Sequence, residues 1–403
     1  MGYSYEEVVD FVEQEDVIFI RLAFTDAYGH LKNIAIPPDE LPRAFRDGIS
    51  FDASAIAGFS SVVKSDLFLF PIPSTLTVLP WRSLHGKVVR MFCDIRYPDG
   101  TPFERDGRAV LKKAVRAAAD KGIAVSFGTE FEFYLFKTDE NGEPTRIPLD
   151  TAGYFDVSPY DKGENVRRDI VLTLKEMGIH PETSHHEEGP GQNEVDFRHA
   201  DAMTAADNAL YFKNVVHAVA TQNGLVADFS PKPLSDYSGN GLHINMSVNR
   251  LDGGDSTELN NQFMAGVLKH VKELTAFLNP TEDSYKRLGE RKAPKYISWS
   301  EQNRSQLIRI PAASGEYKRF ELRSADPEAN PYIVFALLIY AGLDGIDNKL
   351  ILPEPVDMDL YNPENASKAG LERLPVYLSE AVEIARKSEF IKSVLPENFM
   401  NLL

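Results

Sequence analysis

Apolar and polar side chains alternate along Val125–Phe133, as expected for a strand that buries only one of its faces. Phe127, Phe131 and their neighbours fall on one face, while Glu130 and Glu132 share the other. Two neighbouring carboxylates on one face repel each other unless a cation or a strong hydrogen-bond network offsets their charge. The stretch therefore predicts a strand whose polar face binds positive charge.

Two later stretches repeat this alternation. In Leu242–Val248 every second residue is polar, and these residues are His243, Asn245 and Ser247. In Arg319–Arg323 the polar positions are two arginines with Glu321 between them. A sheet face that collects glutamates, a histidine and arginines is typical of the floor of a charged active site, not of a core.

Apolar residues recur with helical spacing between these strands. The predicted helices are Gly107–Lys121, Glu164–Met177, Ala202–Asn223, Glu258–Leu278 and Pro331–Leu343. The first hundred residues instead predict a short capped helix, a hairpin from Val17–Thr25 to Leu31–Ile36, and further short strands. Because strands and helices do not alternate regularly, we expect an antiparallel or mixed sheet backed by helices. The turn-rich Tyr97–Pro102 marks a boundary between residues 1–100 and 101–403.

The composition narrows the class of protein. The 403 residues are 43% hydrophobic and 26% charged, which is typical of soluble globular proteins. A net charge of −17 argues against nucleic acid as a partner and against binding to an anionic membrane surface. The single cysteine, Cys93, excludes an intrachain disulfide, and its apolar neighbours predict that it is buried. With no recognisable signal peptide or membrane span, we expect a cytoplasmic protein.

The segment Ser184–Glu194 holds three glutamates and two histidines in a turn-rich stretch. Such a segment can wrap around a hard cation with oxygen ligands, although an ordinary polar loop has the same composition. His243 follows the glycine-rich Ser238–Gly241, whose backbone can approach a ligand closely. Together with the polar strand faces, these residues predict a polynuclear metal site.

Arginines gather around Glu321. Within Asn303–Arg323 they are Arg304, Arg309, Arg319 and Arg323. Guanidinium groups bind carboxylates and phosphates bidentately, although a set of surface ion pairs is the alternative interpretation. The sequence has no P-loop motif, so any ATP would be bound in another way. Metals beside an arginine cluster suggest phosphoryl transfer from a nucleotide.

At these motifs the chain resembles type I glutamine synthetases, and the resemblance covers nearly its whole length. The matching stretches are F-D-A-S-A-I-A-G-F (51–59), D-I-R-Y-P-D-G-T-P-F (94–103), G-T-E-F-E-F (128–133), S-H-H-E-E-G-P-G-Q-N-E (184–194), P-K-P (231–233), G-N-G-L-H-I-N-M-S (239–247), N-R-S-Q-L-I-R-I-P (303–311) and F-E-L-R-S-A-D-P-E-A-N-P-Y (320–332).

The resemblance implies an α+β protein with an N-terminal β-grasp domain in residues 1–100 and a catalytic domain in 101–403, whose curved sheet is backed by helices. It also implies a ring-shaped homo-oligomer with active sites shared between neighbouring subunits. The implied reaction is phosphorylation of the γ-carboxylate of glutamate by ATP, with Mg²⁺ or Mn²⁺, followed by attack of ammonia to give glutamine.

The resemblance also implies a role for each matching residue. One metal would be held by Glu132, Glu187 and Glu194, and a second by Glu130, His243 and Glu321. Phosphate groups and nucleotide would be bound by Arg304, Arg309, Arg319 and Ser247. Glutamate would be bound by Gly239, Gly241, Arg287 and Arg323. Asp52 would reach the ammonium site of a neighbouring subunit, and the catalytic candidates are Asp52, Glu290 and Arg304.

The chain departs from the family pattern around the ammonium site. The family's flap reads roughly R-L-V-P-G-Y-E-A-P, whereas the flap segment here (residues 287–294) is the shorter R-L-G-E-R-K-A-P. Lys292 stands where the family has a glutamate that takes a proton from ammonium, and Glu290 is the candidate replacement. Ala55 replaces a serine of the ammonium site, and Asn240 alters the glycine-rich loop before the metal histidine.

These departures leave alternatives open. Ammonia is the expected nucleophile because Asp52 is retained, but a γ-glutamyl ligase for a larger amine is the first alternative. A weakly active or non-catalytic regulatory homologue is the second, and it is disfavoured because all the metal ligands are present. Since the chain ends soon after Ser388–Val394, we expect a weaker double ring or a single ring. Tyr361 lies near where some relatives are adenylylated, but its surroundings differ and we expect no modification there.

Overall fold

The structure, a computed structural model, describes residues 2–59, 65–82, 86–313, 315 and 318–402. The chain divides into two compact units. The first unit comprises Met1–Val110, Leu172–Ile179 and Pro396–Leu402, and the second comprises Leu111–Val171 and His180–Leu395. The domain boundary expected near residue 100 stays a prediction.

The first unit contains a mixed sheet. Its strands are β1 (Val17–Thr25), β2 (Leu31–Ile36), β3 (Ile49–Asp52), β4 (Asp66–Pro71), β5 (Thr77–Val78) and β6 (Lys87–Arg96). The strand order is β2-β1-β6-β4-β3, and β5 also pairs with β6. The predicted hairpin is the antiparallel pair β1–β2, while β1 and β6 run parallel.

The helices of this region cover an apolar core. They are α1 (Tyr5–Gln14) and α2 (Leu41–Arg46), with 3-10 turns at Pro38–Glu40, Ala53–Ala55, Pro73–Thr75 and Pro80–Arg82. Ser4 and Glu7 form the predicted capping box at the start of α1. Val8, Ile20 and Leu67 are fully buried in one cluster, and Cys93 is buried in the same cluster, as its apolar neighbours predicted.

Longer elements follow in the rest of the chain. The strands are β7 (Ile123–Thr138), β8 (Pro144–Pro148), β9 (Pro181–His186), β10 (Gln192–Phe197), β11 (Ala200–Asp201), β12 (Leu225–Asp228), β13 (Leu242–Arg250), β14 (Trp299–Glu301), β15 (Ile308–Ile310) and β16 (Phe320–Leu322). The helices are α3 (Gly107–Ala119), α4 (Glu164–Glu176), α5 (Ala202–Gln222), α6 (Thr257–Leu278), α7 (Glu282–Arg287), α8 (Pro331–Asp347), α9 (Pro363–Ala369), α10 (Leu378–Lys387), α11 (Glu389–Val394) and α12 (Glu397–Met400).

The predicted helices are all present, and only the last differs in its end by more than two residues. Helix α8 continues from Leu343 to Asp347, because its buried face extends beyond the apolar run to Gly345. The segment predicted to be turn-rich, Ser184–Glu194, is instead a short turn between the ends of β9 and β10. Within the described ranges, no helix has both the length and the apolar character needed to cross a membrane.

Strand β7 is the centre of the second unit's sheet. The strand order is β14-β15-β16-β13-β7-β10-β9, and β8, β11 and β12 also pair with β7. Among the described residues, the pairs in this sheet are antiparallel except for β14 with β15. This confirms the predicted antiparallel or mixed sheet.

Helices cover the apolar face of β7. Phe127 stacks on Phe335 of α8 with ring centroids 4.2 Å apart, and Phe131 lies 5.1 Å from Phe212 of α5. All four rings are buried. Because side chains alternate across a strand, this packing turns Glu130 and the next glutamate to the opposite, polar face.

Helices α6 and α8 touch through glycines. A Cβ on Gly266 of α6 would lie 2.1 Å from the carbonyl oxygen of Ala341, and a Cβ on Gly345 of α8 would lie 2.0 Å from that of Gln262. Both distances are far shorter than a van der Waals contact, and the neighbouring atoms belong to the backbone and cannot rotate away. The crossing therefore requires glycine at these positions.

We predict that Gly266→Ala destabilises the protein by about 1–3 kcal/mol, because the added methyl group forces the two helices apart. The measurement is the midpoint of thermal unfolding. Gly153→Ala is the matched control, since the nearest atom to its new methyl group is 3.7 Å away. Equal midpoints for the two variants would show that the helix crossing tolerates a side chain.

Candidate active site

Strand register places residues distant in sequence next to one another on the polar face of the second sheet. Where β13 pairs with β7, His243 lies opposite Glu130, and where β13 pairs with β16, Asn245 lies opposite Glu321. Glu130 and His243 are 113 positions apart along the chain. They become neighbours because antiparallel pairing aligns side chains of the same face.

Glu130, His243 and Glu321 form a first cluster, with ligand atoms that lie within 4.8 Å of one another. His243 Nδ1 is 3.0 Å from Glu130 Oε2 and 3.5 Å from Glu321 Oε1. Glu321 is fully buried, and it accepts hydrogen bonds from Arg309 Nη1 at 2.8 Å and from Arg323. These are the three residues that the resemblance assigns to one metal.

Neighbouring groups hold Glu130 in its charged form. Burial alone would raise the pKa of Glu130, but the hydrogen bond and electrostatic effect of His243 and a hydrogen bond from Asn245 lower this pKa to about 2. The Asn245 bond is 2.8 Å long, and Arg319 Nε donates to Asn245 Oδ1 at 2.9 Å. The carboxylate is therefore ionised at neutral pH, as a metal ligand must be.

His185, Glu187 and Glu194 form a second cluster, also with ligand atoms within 4.8 Å of one another. Glu132 lies opposite Glu194 in the β7–β10 pairing and lines the same cavity as both glutamates. Its carboxylate accepts a 2.7 Å hydrogen bond from the Gly241 amide. Sequence analysis placed His185 in a segment that could wrap around a cation but did not name it as a ligand; in the structure its Nε2 is 3.6 Å from Glu194 Oε1.

Burial, reinforced by crowded negative charge, raises pKa values in this second cluster. Burial, reinforced by the charge of Glu132, raises the pKa of Glu187 to about 7. Burial, followed by the charge of Asp196, raises the pKa of Glu194 well above its ordinary value. Asp196 itself groups with Glu130 and Glu194. Sequence reasoning missed Asp196, although its two-residue spacing from Glu194 is the signal that identified the glutamate pair of β7.

Both clusters suit a divalent cation. Each combines carboxylate oxygens with one imidazole nitrogen, and these are donors that Mg²⁺ and Mn²⁺ accept. A bound cation would also relieve the repulsion that raises the pKa of Glu187 and Glu194. The donor chemistry therefore fits metals at both clusters.

Two buried arginines line a cavity of about 50 Å³ beside these carboxylates. They are Arg287 and Arg323, and Arg304 lines the same cavity. Gly239 and Gly241 pack directly on Arg287, since a Cβ on either one would lie within 2.9 Å of its side chain. Of the residues predicted to bind glutamate, Gly239, Arg287 and Arg323 therefore line this cavity, and Gly241 packs on Arg287 beside it.

The flap segment contributes positive charge to this cavity. Arg291 and Lys292 line it, and Lys292 Nζ is 2.5 Å from Glu188 Oε1. Glu290 is not among the lining residues in the described part of the chain; its side chain is 61% exposed and lies 3.7 Å from Lys232 Nζ. The catalytic role of Glu290 stays a prediction.

A larger cavity shares lining residues with a smaller one beside Glu130. Its volume is about 670 Å³, and Ser247 and Arg319 are among the residues that line it. The same two residues also line a cavity of about 110 Å³ together with Glu130 and Asn245. A polar surface therefore runs from the first cluster to the large cavity.

Asp52 belongs to the first unit and is exposed. It caps the 3-10 turn Ala53–Ala55 by accepting a 2.9 Å hydrogen bond from the Ser54 amide. A hydrogen bond from the Ser54 hydroxyl, together with this one from its amide, lowers the pKa of Asp52. Its expected reach into the site of a neighbouring subunit stays a prediction.

A buried aspartate anchors the second cluster, and sequence reasoning missed it. Asp150 Oδ1 is 3.0 Å from His186 Nε2 and accepts a 2.9 Å hydrogen bond from the Gly191 amide. The other ring nitrogen of His186, Nδ1, is 2.6 Å from the backbone oxygen of Glu187. Asp150 therefore ties down both ends of the turn that presents Glu187. No local pattern marked Asp150, because its partners lie on distant strands.

Comparison with known proteins places this geometry in a family context. Residues 16–98 match the family model described as glutamine synthetase, beta-Grasp domain, and residues 104–402 match glutamine synthetase, catalytic domain. A glutamine synthetase of Clostridium saccharobutylicum is 45% identical over 408 residues, which cover 98% of this chain and 92% of the relative. One from Staphylococcus aureus is 45% identical over 414 residues, with 99% and 92% covered.

Solved structures agree with these matches. A structure described as a GmaS/ADP complex superposes with a TM-score of 0.88 at 30% identity, and the match covers 98% of this chain and 94% of the other. A structure of GmaS without ligand matches with the same values. The similarity therefore extends over both units of the chain.

We predict that Asp150→Asn weakens the binding of Mn²⁺ by about 10- to 100-fold, because the turn that presents Glu187 loses its anchor. Binding is measured by isothermal titration calorimetry. Asp139→Asn is the matched control, since Asp139 also accepts backbone hydrogen bonds, from Asn141 and Glu143, but in an exposed turn. Unchanged Mn²⁺ affinity in Asp150→Asn would rule out the anchoring role.

Metal affinity should also depend on pH. Because the pKa of Glu187 is raised to about 7, this carboxyl is protonated at lower pH and must release its proton to solvent when a metal ion binds. Mn²⁺ affinity should therefore fall as the pH drops below about 7, and binding near neutral pH should release protons. Titrations in buffers of different ionisation enthalpy count those protons. Glu187→Gln should release fewer, and an equal number would exclude Glu187 as their source.

Proposed function

This chain belongs to the glutamine synthetase family, and we propose that the polar face of its second sheet carries out the family's reaction, the ATP-dependent joining of glutamate and ammonia. The observation that carries this proposal is the cluster of Glu130, His243 and Glu321, which lies beside arginines and between two cavities. The enzyme is thus a glutamate–ammonia ligase that uses ATP and a divalent metal.

The reaction has two steps. A γ-carboxylate oxygen of glutamate forms a bond to the terminal phosphorus of ATP, and ADP leaves. Ammonia then attacks the carbonyl carbon of the resulting γ-glutamyl phosphate, phosphate leaves with the bridging oxygen, and the attacking nitrogen loses a proton to give glutamine. Mg²⁺ or Mn²⁺ at the two clusters would neutralise charge on the phosphates during transfer.

Nucleotide binding is proposed for the 670 Å³ cavity. Ser247 and Arg319 line this cavity and the smaller one that leads to Glu130, so phosphates there would point towards the first cluster. Arg309 already bonds the buried Glu321, and its guanidinium would stabilise the transferring phosphoryl group. The similar chain described with ADP supports a nucleotide site on the shared fold.

Glutamate binding is proposed for the smaller, arginine-lined cavity. Arg287 donates to backbone oxygens at 2.8 and 3.4 Å, so its guanidinium is held in place before a substrate arrives. Arg323 would share the carboxylate groups with it, and the backbone of Gly239 and Gly241, which packs on Arg287, would contact the substrate. Arg304 would complete the positive surface.

Other parts of the proposal rest on the family. We propose a β-grasp domain in residues 1–100 and a catalytic domain in 101–403, and the two family models meet between residues 98 and 104. A ring-shaped homo-oligomer would bring Asp52 to a neighbour's ammonium site. A cytoplasmic location would supply ATP and glutamate.

A larger amine is the second candidate for the nucleophile, and one observation favours it. Lys292, not a glutamate, projects from the flap segment into the cavity lining. The positive charge of Lys292 repels a small cation such as ammonium, whereas a larger amine could also make contacts away from Lys292.

The test is phosphate release from ATP in the presence of glutamate and magnesium, with ammonium, methylamine and a diamine compared as nucleophiles. Ammonium should give the strongest stimulation. If only the diamine stimulated phosphate release, the nucleophile would be a larger amine and not ammonia. If no nucleophile stimulated phosphate release, the proposed ligase activity would be overturned.

Glu321→Ala should lower turnover by at least ~1,000-fold, because the first cluster loses its central carboxylate. Glu321→Gln keeps the shape and should lose nearly as much, which separates loss of charge from misfolding. Glu389→Gln is the surface control, since that side chain is 87% exposed. Normal turnover in Glu321→Gln would remove the first cluster from the mechanism.

A further inference from the structure

Lys292 is bound as an amine within the active-site cavity. Its Nζ lies 2.5 Å from Glu188 Oε1 and 4.8 Å from the centre of the Tyr154 ring. A carboxylate together with the face of an aromatic ring is a recognised way for proteins to bind a primary ammonium group. Lys292, Glu188 and Tyr154 all line the cavity that holds the second metal cluster.

Glu188 is held in position for this contact from two directions. Its second oxygen, Oε2, accepts a 3.2 Å hydrogen bond from the Ser238 hydroxyl. Its backbone amide donates a 2.8 Å hydrogen bond to Oε2 of Glu187. The carboxylate is therefore aimed into the cavity by the turn that also presents a proposed metal ligand, and it would remain there if Lys292 moved away.

The flap segment curls so that Lys292 reaches this place. Arg291 and Lys292 both have left-handed backbone conformations, with φ of 38° and 71°. Such conformations are costly for side chains other than glycine and need support from their surroundings. Two backbone hydrogen bonds give this support: the Gly289 amide donates to the carbonyl oxygen of Ala293, and the Ala293 amide donates to the carbonyl oxygen of Glu290. This turn belongs to none of the strands, so a rotation of the Lys292 side chain would leave the strand pairing intact.

We propose that Lys292 sets the specificity for the amine: its ammonium group occupies the place between Glu188 and the Tyr154 ring, and the substrate amine must displace it to react. The inference rests on the proposed ligase function and adds to it a residue pair that governs the nucleophile. Both partners of Lys292 are partly exposed, with 34% of the Glu188 side chain accessible, so the contact is weak enough to be exchanged.

Two variants separate competition from simple structural support. Lys292→Met removes the internal competitor, and the KM for ammonium should fall about three- to tenfold. Glu188→Gln removes the partner of the cation, and the KM for ammonium should rise about tenfold, while the KM for ATP stays the same. Hydroxylamine is a largely uncharged nucleophile near neutral pH, so its KM should change little in Glu188→Gln.

Lys286→Met is the matched control, because Lys286 lies in the neighbouring helix α7 with its side chain 68% exposed and paired only to Asp283 among the described residues. Its KM for ammonium should equal that of the wild type. If Lys292→Met and Glu188→Gln both raise the KM for ammonium, the pair is a structural link and the proposal is wrong. An unchanged KM in Lys292→Met would overturn it as well.

A binding measurement keeps this result separate from the ligase activity itself. The thermal unfolding midpoint is compared in ammonium chloride and in sodium chloride of equal concentration. The extra stabilisation by ammonium should be larger in Lys292→Met than in the wild type and absent in Glu188→Gln. This readout needs no turnover, so it would support or refute the role of Lys292 even if no nucleophile stimulated phosphate release.

Discussion

Repulsion among carboxylates on one sheet face is the constraint on which the rest of the site depends. Glu130 and Glu132 project from β7 to the same side, and Glu194 and Asp196 of β10 lie opposite them. Like charges this close must be neutralised by protons, by neighbouring cations or by metal ions. The two clusters use different solutions: His243 and Asn245 keep Glu130 charged, whereas the carboxyls around Glu194 retain protons. The first cluster can therefore bind a metal ion directly, whereas the second must release protons before it binds one.

The scaffold that maintains this crowding is apolar and closely packed. Phe127 and Phe131 of β7 are clamped by aromatic rings on α5 and α8, so the strand cannot rotate its glutamates away from one another. Helix α8 is in turn held against α6 by glycines that leave no room for a methyl group. Repulsion on one face of the sheet is thus balanced by packing on the other. Asp150 in addition orients the turn between β9 and β10 that presents Glu187.

The two halves of the reaction are built differently in this chain. Phosphoryl transfer would use groups fixed by buried hydrogen bonds, such as Arg309 and Arg323 on Glu321. The amine half relies instead on the flap segment, where Lys292 forms a partly exposed ion pair with Glu188. Buried groups are preorganised and costly to move, while exposed pairs are weak and exchangeable. Amine selection is therefore the part of the reaction that a few substitutions could alter.

The sequence by itself determined which segments form helices and strands, and which face of each site strand carries the charged side chains. Alternation in Val125–Phe133 placed Glu130 and Glu132 on one side of a strand, because side-chain direction in a strand is a local property. Family motifs then identified the catalytic unit, and the shorter flap segment, with Lys292 in place of a glutamate, was visible in the sequence alone.

Only the tertiary structure decided which of these residues meet. The pairing of His243 with Glu130, and of His186 with Asp150, depends on strand register and on loops that cross from one strand to another. The same holds for Lys292, whose direction follows from the left-handed turn of the flap segment and whose partner Glu188 lies on a different turn. Contacts between distant segments are set by packing of the whole unit, so no local pattern could have placed them.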